Sequence, residues 1–226
     1  MDVGCGLGTE LLWCTLKGGQ SLGLELHRWS LNIALTRLRL LNDLLEQPLE
    51  CEFRYQNLFD LSDRQPFDVI FLREAFHHIE PRLQAVEKLS KLLKPGGRLL
   101  IEETNGWNPF IQARLWRIRG FRTVVVKRDN ETRFEYLFGN ERITVAGALD
   151  KIFRPYGIIA ETEYFRFLPT ALARMQSFAA VVQRIEPVVQ KWPVFRPLCL
   201  HYSWHGVKEP DNEIRPYLHD SGRAIE

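Results

Sequence analysis

Three glycines at alternate positions, Gly4, Gly6 and Gly8, follow an acidic residue, Asp2, and an apolar one, Val3, at the head of the sequence. A loop without Cβ atoms lets a flat ligand approach the backbone closely, which is the chemistry of a nucleotide-type site. A plain glycine turn between a strand and a helix would show the same letters. Spacing narrows the choice: a dinucleotide fingerprint needs a glycine where Thr9 stands. No Gly-Lys-Ser/Thr follows, which excludes a P-loop. Glu25 comes about twenty positions after Gly6, where a carboxylate can accept two hydrogen bonds from a ribose diol; the alternative is a solvated charge at a strand end. Asn57 offers a carbonyl oxygen to an adenine amino group, or caps a turn. His77 and His78 are the best candidates for a general base because imidazole titrates near neutral pH; the alternative is that one of them packs or caps the helix that follows. His201 and His205 share a strand face, but with no third ligand nearby in the sequence they make a poor zinc set. The expectation is a protein without a metal.

Each of these side chains falls at the end of an apolar run. Residues 10–17 read as a short helix stopped by Gly18 and Gly19, and Ser21–Glu25 as a buried strand ending in its carboxylate. Residues 30–45 carry Leu31, Ala34, Leu35, Leu38, Leu41, Leu44 and Leu45 at helical spacing, and residues 50–55 alternate as a strand that runs into Asn57. A fourth strand at 66–72 leads into the polar stretch from Arg73 to Ile79. A helix at 82–93 then precedes the Pro95-Gly96-Gly97 turn and a buried fifth strand ending at Glu103. Strands alternating with helices predict a doubly wound parallel sheet with ligands at the carboxyl ends of its strands. Residues 106–126 read as an amphipathic helix laid over those ends. Its Trp107, Trp116, Arg114, Arg117, Arg119 and Arg122 suit an anionic head group or nucleic acid, or form a solvated basic face. A helix at 142–155, a sixth strand at 156–167, an amphipathic stretch at 169–190 and a seventh strand at 198–207 complete the reading. The expected organisation is one domain over 1–208, with cap segments at about 106–155 and 169–190, and a polar, mobile tail at 209–226.

With 226 residues the chain can bury one large α/β core but hardly two enzyme domains. The balance of 30 basic and 28 acidic residues gives no general case for a nucleic-acid partner. Cys5, Cys14, Cys51 and Cys199 form neither C-x-x-C pairs nor a recognisable disulfide framework, which fits a reducing compartment. No apolar run reaches the ~18 residues of a membrane span, and the sequence does not open on a basic-then-apolar signal peptide. The expected location is the cytoplasm.

Asp2-x-Gly4-x-Gly6-x-Gly8 resembles the first motif of the class I S-adenosylmethionine-dependent methyltransferases. Phe67-Asp68-x-Ile70 followed by His77-His78-Ile79 is similar to the fourth motif of that family, and Leu93-Lys94-Pro95-Gly96-Gly97-Arg98-Leu99-Leu100-Ile101 is a further match. The resemblance covers roughly residues 2–103. It implies a seven-stranded, mostly parallel, Rossmann-like sheet with a helical cap inserted after the fifth strand. It implies S-adenosylmethionine held by Asp2, Gly4, Cys5, Gly6 and Gly8, with Glu25 and Leu26 at the ribose, Asn57 and Leu58 at the adenine, and Arg73 at the fourth strand's end. Asp is the commoner residue at the Asn57 position. The methyl group would pass in line to a small hydrophobic or amphipathic acceptor, lipid-linked ones included, with His77 or His78 as base where the acceptor carries a proton. The competing readings are a non-catalytic S-adenosylmethionine-binding module or inactive fragment, and a nicotinamide-dependent dehydrogenase, which Thr9 and the later motifs disfavour. Only Met1 precedes Asp2 where a central strand wants several apolar residues, and the family's leading helices have no counterpart. A chain shortened at its N-terminus and marginal in stability is expected. Oligomeric state is not legible.

Overall fold

The computed structural model describes residues 1–45, 48–62, 66–128, 135–166, 184, 186 and 192–210. The first half alternates as the sequence predicts: β1 (Asp2–Val3), α1 (Thr9–Leu16), β2 (Ser21–Glu25), α2 (Arg28–Leu45), β3 (Cys51–Tyr55), β4 (Phe67–Arg73), α3 (Arg82–Leu92) and β5 (Leu93–Thr104). Then come α4 (Pro109–Arg119), β6 (Val124–Arg128), β7 (Glu135–Gly139), α5 (Ala146–Phe153), β8 (Ile158–Phe165) and β9 (His201–Lys208). One seven-stranded sheet runs in the order β3-β2-β1-β4-β5-β9-β8. Its first five strands are parallel, and β9 is antiparallel to both of its neighbours. The strand order reverses between β1 and β4, and a crevice forms outside the carboxyl ends of strands at such a switch point.

From β4 to β8 the sheet buries one face and leaves the other, with Val69, Ile159 and Val207, open, so its strands alternate. Ile70 and Leu72 of β4, Leu99 and Ile101 of β5, and Tyr202 and Trp204 of β9 are buried at a spacing of two, against Leu89, Leu92 and Phe153 from the helices. Trp204 stays buried because its Nε1–H donates to Asp150 Oδ1 at 2.8 Å. A second cluster of Leu11, Leu12, Leu31, Ala34 and Phe53 ties α1 and α2 to β3. No helix among the described residues is long and apolar enough to cross a membrane.

The insertion after β5 differs from the single helix expected over 106–126. Asn108 caps α4 by accepting from the N–H groups of Phe110 and Ile111, both at 3.1 Å, and Pro109 occupies the first turn. The helix ends at Gly120, whose φ is 59°. Beyond it the β-branched run Thr123-Val124-Val125-Val126 favours an extended backbone, and β6 pairs with β7 as an antiparallel hairpin separate from the main sheet. The expected Pro95–Gly97 turn is a bulge inside β5, where pairing with β4 jumps from Phe67↔Leu93 to Val69↔Arg98. Apart from residues 184 and 186, the amphipathic stretch at 169–190 lies outside the described residues, as does the tail beyond 210.

Candidate functional site

The glycine loop leaves β1 with Gly4, Gly6 and Gly8 at φ of 75°, 52° and 72°. Two of the three are fixed by packing: a Cβ on Gly4 would lie 2.7 Å from the Ala75 Cβ, and one on Gly8 would lie 2.5 Å from the Phe53 ring. Gly6 alone faces open space, with no atom within 4 Å of where its Cβ would stand. The loop is held to β2 by Glu25. Gly6 N–H donates to Glu25 Oε2 at 2.8 Å, while Oε1 accepts from the N–H groups of Leu26 and His27, both at 2.7 Å. Glu25 is therefore a clasp as well as a strand-end carboxylate, and Oε2 retains acceptor capacity for a ligand hydroxyl.

A cavity opens at the switch point. Gly4, Glu25, Leu26, Asn57 and Leu58 form one wall, Glu74, Ala75 and His78 the other, and Tyr136, Leu137 and Phe138 of β7 close it. Six residues expected from the sequence thus meet here: Gly4, Glu25, Leu26, Asn57, Leu58 and His78. Asn57 also does what its local alternative required, since its Oδ1 caps the turn by accepting from Phe59 N–H at 3.2 Å. Asp2, Cys5, Gly8 and His77 stand behind the walls. Cys5 packs in the α1–α2–β3 cluster, where burial pushes its thiol pKa far up. Arg73 does not line the cavity; it pairs with Glu10 of α1 and, at 3.4 Å, with Glu102. Strand alternation sends it to that side. Sequence reasoning missed Glu74, Glu103, Glu141 and the β7 aromatics; the alternation Tyr136-Leu137-Phe138 after the valine run was the available signal for the hairpin.

The histidine pair lies just past the tip of β4. His77 is buried, its Nδ1 2.5 Å from Oε2 of the fully buried Glu103, and its backbone N–H reaches Oε1 at 3.3 Å. Burial pushes the His77 pKa down, but the hydrogen bond and charge of Glu103, with the charges of Glu74 and Glu141, outweigh it and leave the pKa raised. His78 donates from Nδ1 to the Gly139 carbonyl at 2.8 Å and stacks on Phe138 with ring centroids 4.5 Å apart. Burial and the neighbouring His77 lower its pKa. Glu74 accepts from Thr104 Oγ1 at 2.8 Å and pairs with His201 Nδ1 at 2.9 Å. Burial pushes Glu74 up, but these two partners outweigh it and hold the carboxylate below its usual range. Glu74 and Glu141 have φ of 50° and 52°, a left-handed conformation uncommon outside glycine and asparagine that tends to gather at functional sites.

Asp2 supports the loop from within the sheet, and burial followed by the charge of Glu10 pushes its pKa up to about 7. The folded state then holds a proton that the unfolded chain has already released above pH ~4. Stability is fully present near pH 4, falls as pH rises through about 7, and is level above that. Asp2→Asn should therefore melt higher than the parent at pH 8, by a few kcal/mol at ~1.4 per pKa unit, with the gap closing near pH 4. Thermal melts at the two pH values check this; a gap independent of pH would contradict it.

Residues 1–99 match the family described as methyltransferase domain. Among curated proteins, the chain is similar to methyltransferase GfsG of Streptomyces halstedii, 32% identical over 46% of this chain and 36% of that one. It is likewise 32% identical to the ubiquinone biosynthesis O-methyltransferase of Idiomarina loihiensis, over 46% of this chain and 42% of the other. The chain thus spans about two fifths of the length of these curated relatives. Among solved structures, an S-adenosylmethionine-dependent methyltransferase from Listeria monocytogenes superposes with a TM-score of 0.60 at 11% identity, covering 92% of this chain and 88% of that one. Phosphoethanolamine N-methyltransferase 2 of Haemonchus contortus superposes at 0.57 and 16% identity, covering 92% and 48%. The glycine loop at the switch point, the order of the seven strands and these likenesses agree: residues 1–99 are similar to the methyltransferase domain family, and the seven-stranded sheet has the fold of the solved methyltransferases.

Proposed function

We propose that this chain binds S-adenosylmethionine across the tips of β1, β2 and β3 and transfers the methyl group to a small hydrophobic or amphipathic acceptor, lipid-linked ones included. The observation that carries the reading is the glycine loop itself, clasped by Glu25 and presenting Gly6 to open space at the switch point. The cavity residues suit the cofactor. Oε2 of Glu25 can accept from the ribose, Asn57 has the carbonyl for the adenine amino group, and Leu26, Leu58 and Phe59 supply apolar cover. When bound, the sulfonium supplies an electrophilic methyl carbon, so the chain's task is chiefly to hold an acceptor in line. His78 lines the cavity with its Nδ1 already engaged and has only Nε2 to offer an acceptor's hydroxyl or amine; His77 stands behind it on Glu103.

The cavity measures about 210 Å³, below the ~300–1,000 Å³ of ordinary ligand pockets. Its outer wall is the β6–β7 hairpin, which meets the body through the Ile79–Phe138 bridge and the His78–Gly139 hydrogen bond. The exposed Phe110, Trp116, Ile118 and Phe121 around α4, interleaved with Arg114 and Arg117, favour an acceptor with an apolar body and an anionic head. The curated relatives named O-methyltransferases favour an oxygen as the atom methylated. We read residues 1–208 as the methyltransferase domain with its cap. We also place the reaction in the cytoplasm, where four unpaired thiols, two of them buried, are at home. An acceptor screen with a methyl-labelled donor tests this: label should enter amphipathic acceptors bearing a hydroxyl. Label confined to polar acceptors such as nucleic acid would overturn the acceptor class, and cofactor binding with no transfer to any acceptor would favour the non-catalytic module.

A further inference from the structure

Both histidines of the pair are anchored through Nδ1, His77 by the Glu103 carboxylate and His78 by the Gly139 carbonyl. Their Nε2 atoms are left to face a third side chain, Glu141: His77 Nε2 is 3.8 Å from Oε2 and His78 Nε2 is 4.0 Å from Oε1. These separations are too long for hydrogen bonds. They lie about half an ångström beyond the ~3.4 Å expected between two ligands that share a tetrahedral ion at 2.0–2.1 Å. Histidines that bind metals generally donate their other ring N–H to a carboxylate or a backbone carbonyl, which fixes the tautomer and aims the free nitrogen. Both anchors are of that kind. Glu141 is held in position by a left-handed backbone, and Glu74 and Glu103 add negative charge around His77. Opposing cations among the described residues include Lys127, whose Nζ sits 3.2 Å from the centroid of the Phe138 ring, and Arg82, whose charge reaches Glu103.

We propose that His77 Nε2, His78 Nε2 and the Glu141 carboxylate form a site for one divalent transition-metal ion of the zinc class, with its fourth position open to the cavity that His78 lines. Three protein ligands and an open position are the pattern of catalytic rather than structural zinc sites. The proposal rests on the reading of that cavity as the acceptor site. With the ion bound, both Nε2 atoms would be committed to it, and the open position, in place of the free His78 Nε2, would be what meets an acceptor oxygen or a water. The site is not legible in the sequence, because Glu141 meets the pair only where β7 ends beside His77 and His78.

The test is a titration of the metal-stripped full chain with Co²⁺, read by the visible bands of four-coordinate cobalt, and with Zn²⁺, read by calorimetry. One equivalent should bind with a Kd of about 1 µM or tighter. Glu141→Gln, at a partly exposed position, and His78→Ala should each weaken binding at least ~100-fold. Glu103→Gln, which disturbs only the anchor of His77, should cost ~10–100-fold, and His201→Ala should change nothing. Absence of the cobalt bands in the folded chain, or binding undiminished in both Glu141→Gln and His78→Ala, would overturn the site. Gly6→Val keeps the two readings apart, because it should lose S-adenosylmethionine and retain the cobalt bands.

Discussion

Gly6→Val is expected to weaken S-adenosylmethionine binding by ~100-fold or more while the protein remains folded. Gly6 holds φ at 52°, where a β-branched residue is strained, and its Cβ would project into the open side of the loop. The substitution also disturbs the N–H that Glu25 Oε2 accepts. Gly4 and Gly8 would be poorer tests, since a side chain at either would collide with Ala75 or Phe53 and confuse lost folding with lost binding. Circular dichroism and calorimetry on the same sample separate the two. Unchanged affinity in a folded variant would remove the loop from the site.

Glu25→Ala should lower both the melting temperature and the affinity. Three backbone N–H groups depend on this carboxylate, and a charged hydrogen bond contributes roughly 1.5–3 kcal/mol before solvent compensates. Affinity should fall at least tenfold, about 1.4 kcal/mol, through loss of the ribose contact and loosening of the loop. Glu25→Gln should recover part of the stability, because its amide oxygen can still accept from one side of the clasp. An affinity change below threefold with a clear drop in melting temperature would leave Glu25 a clasp only.

The residues legible in the sequence were those whose role depends on local spacing. Asp2, the three glycines and Glu25 lie at the ends of two neighbouring strands, and the alternation of strand and helix was enough to place them side by side. The His77–Glu103 contact was not legible, because it depends on the register of β4 against β5. That register pairs Arg73 with Glu102, which puts Arg73 beside its half-buried ion partners on one face and leaves Glu103 on the buried side beneath His77. The hairpin was lost to a wrong period: Trp107 to Arg122 reads at helical spacing, and extending that reading to Val126 passed over a valine run suited to a strand. Its partner strand supplies Tyr136 and Phe138, so the wall that closes the cavity was missed along with it.

Isothermal titration of the chain with S-adenosylmethionine, S-adenosylhomocysteine and NAD tests the central claim most directly. One saturable site for S-adenosylmethionine, for which S-adenosylhomocysteine competes and NAD does not, is the result predicted by a glycine loop clasped to Glu25 with Asn57 at the third strand end. Binding of NAD in its place, or no binding of S-adenosylmethionine by the folded chain, would contradict it.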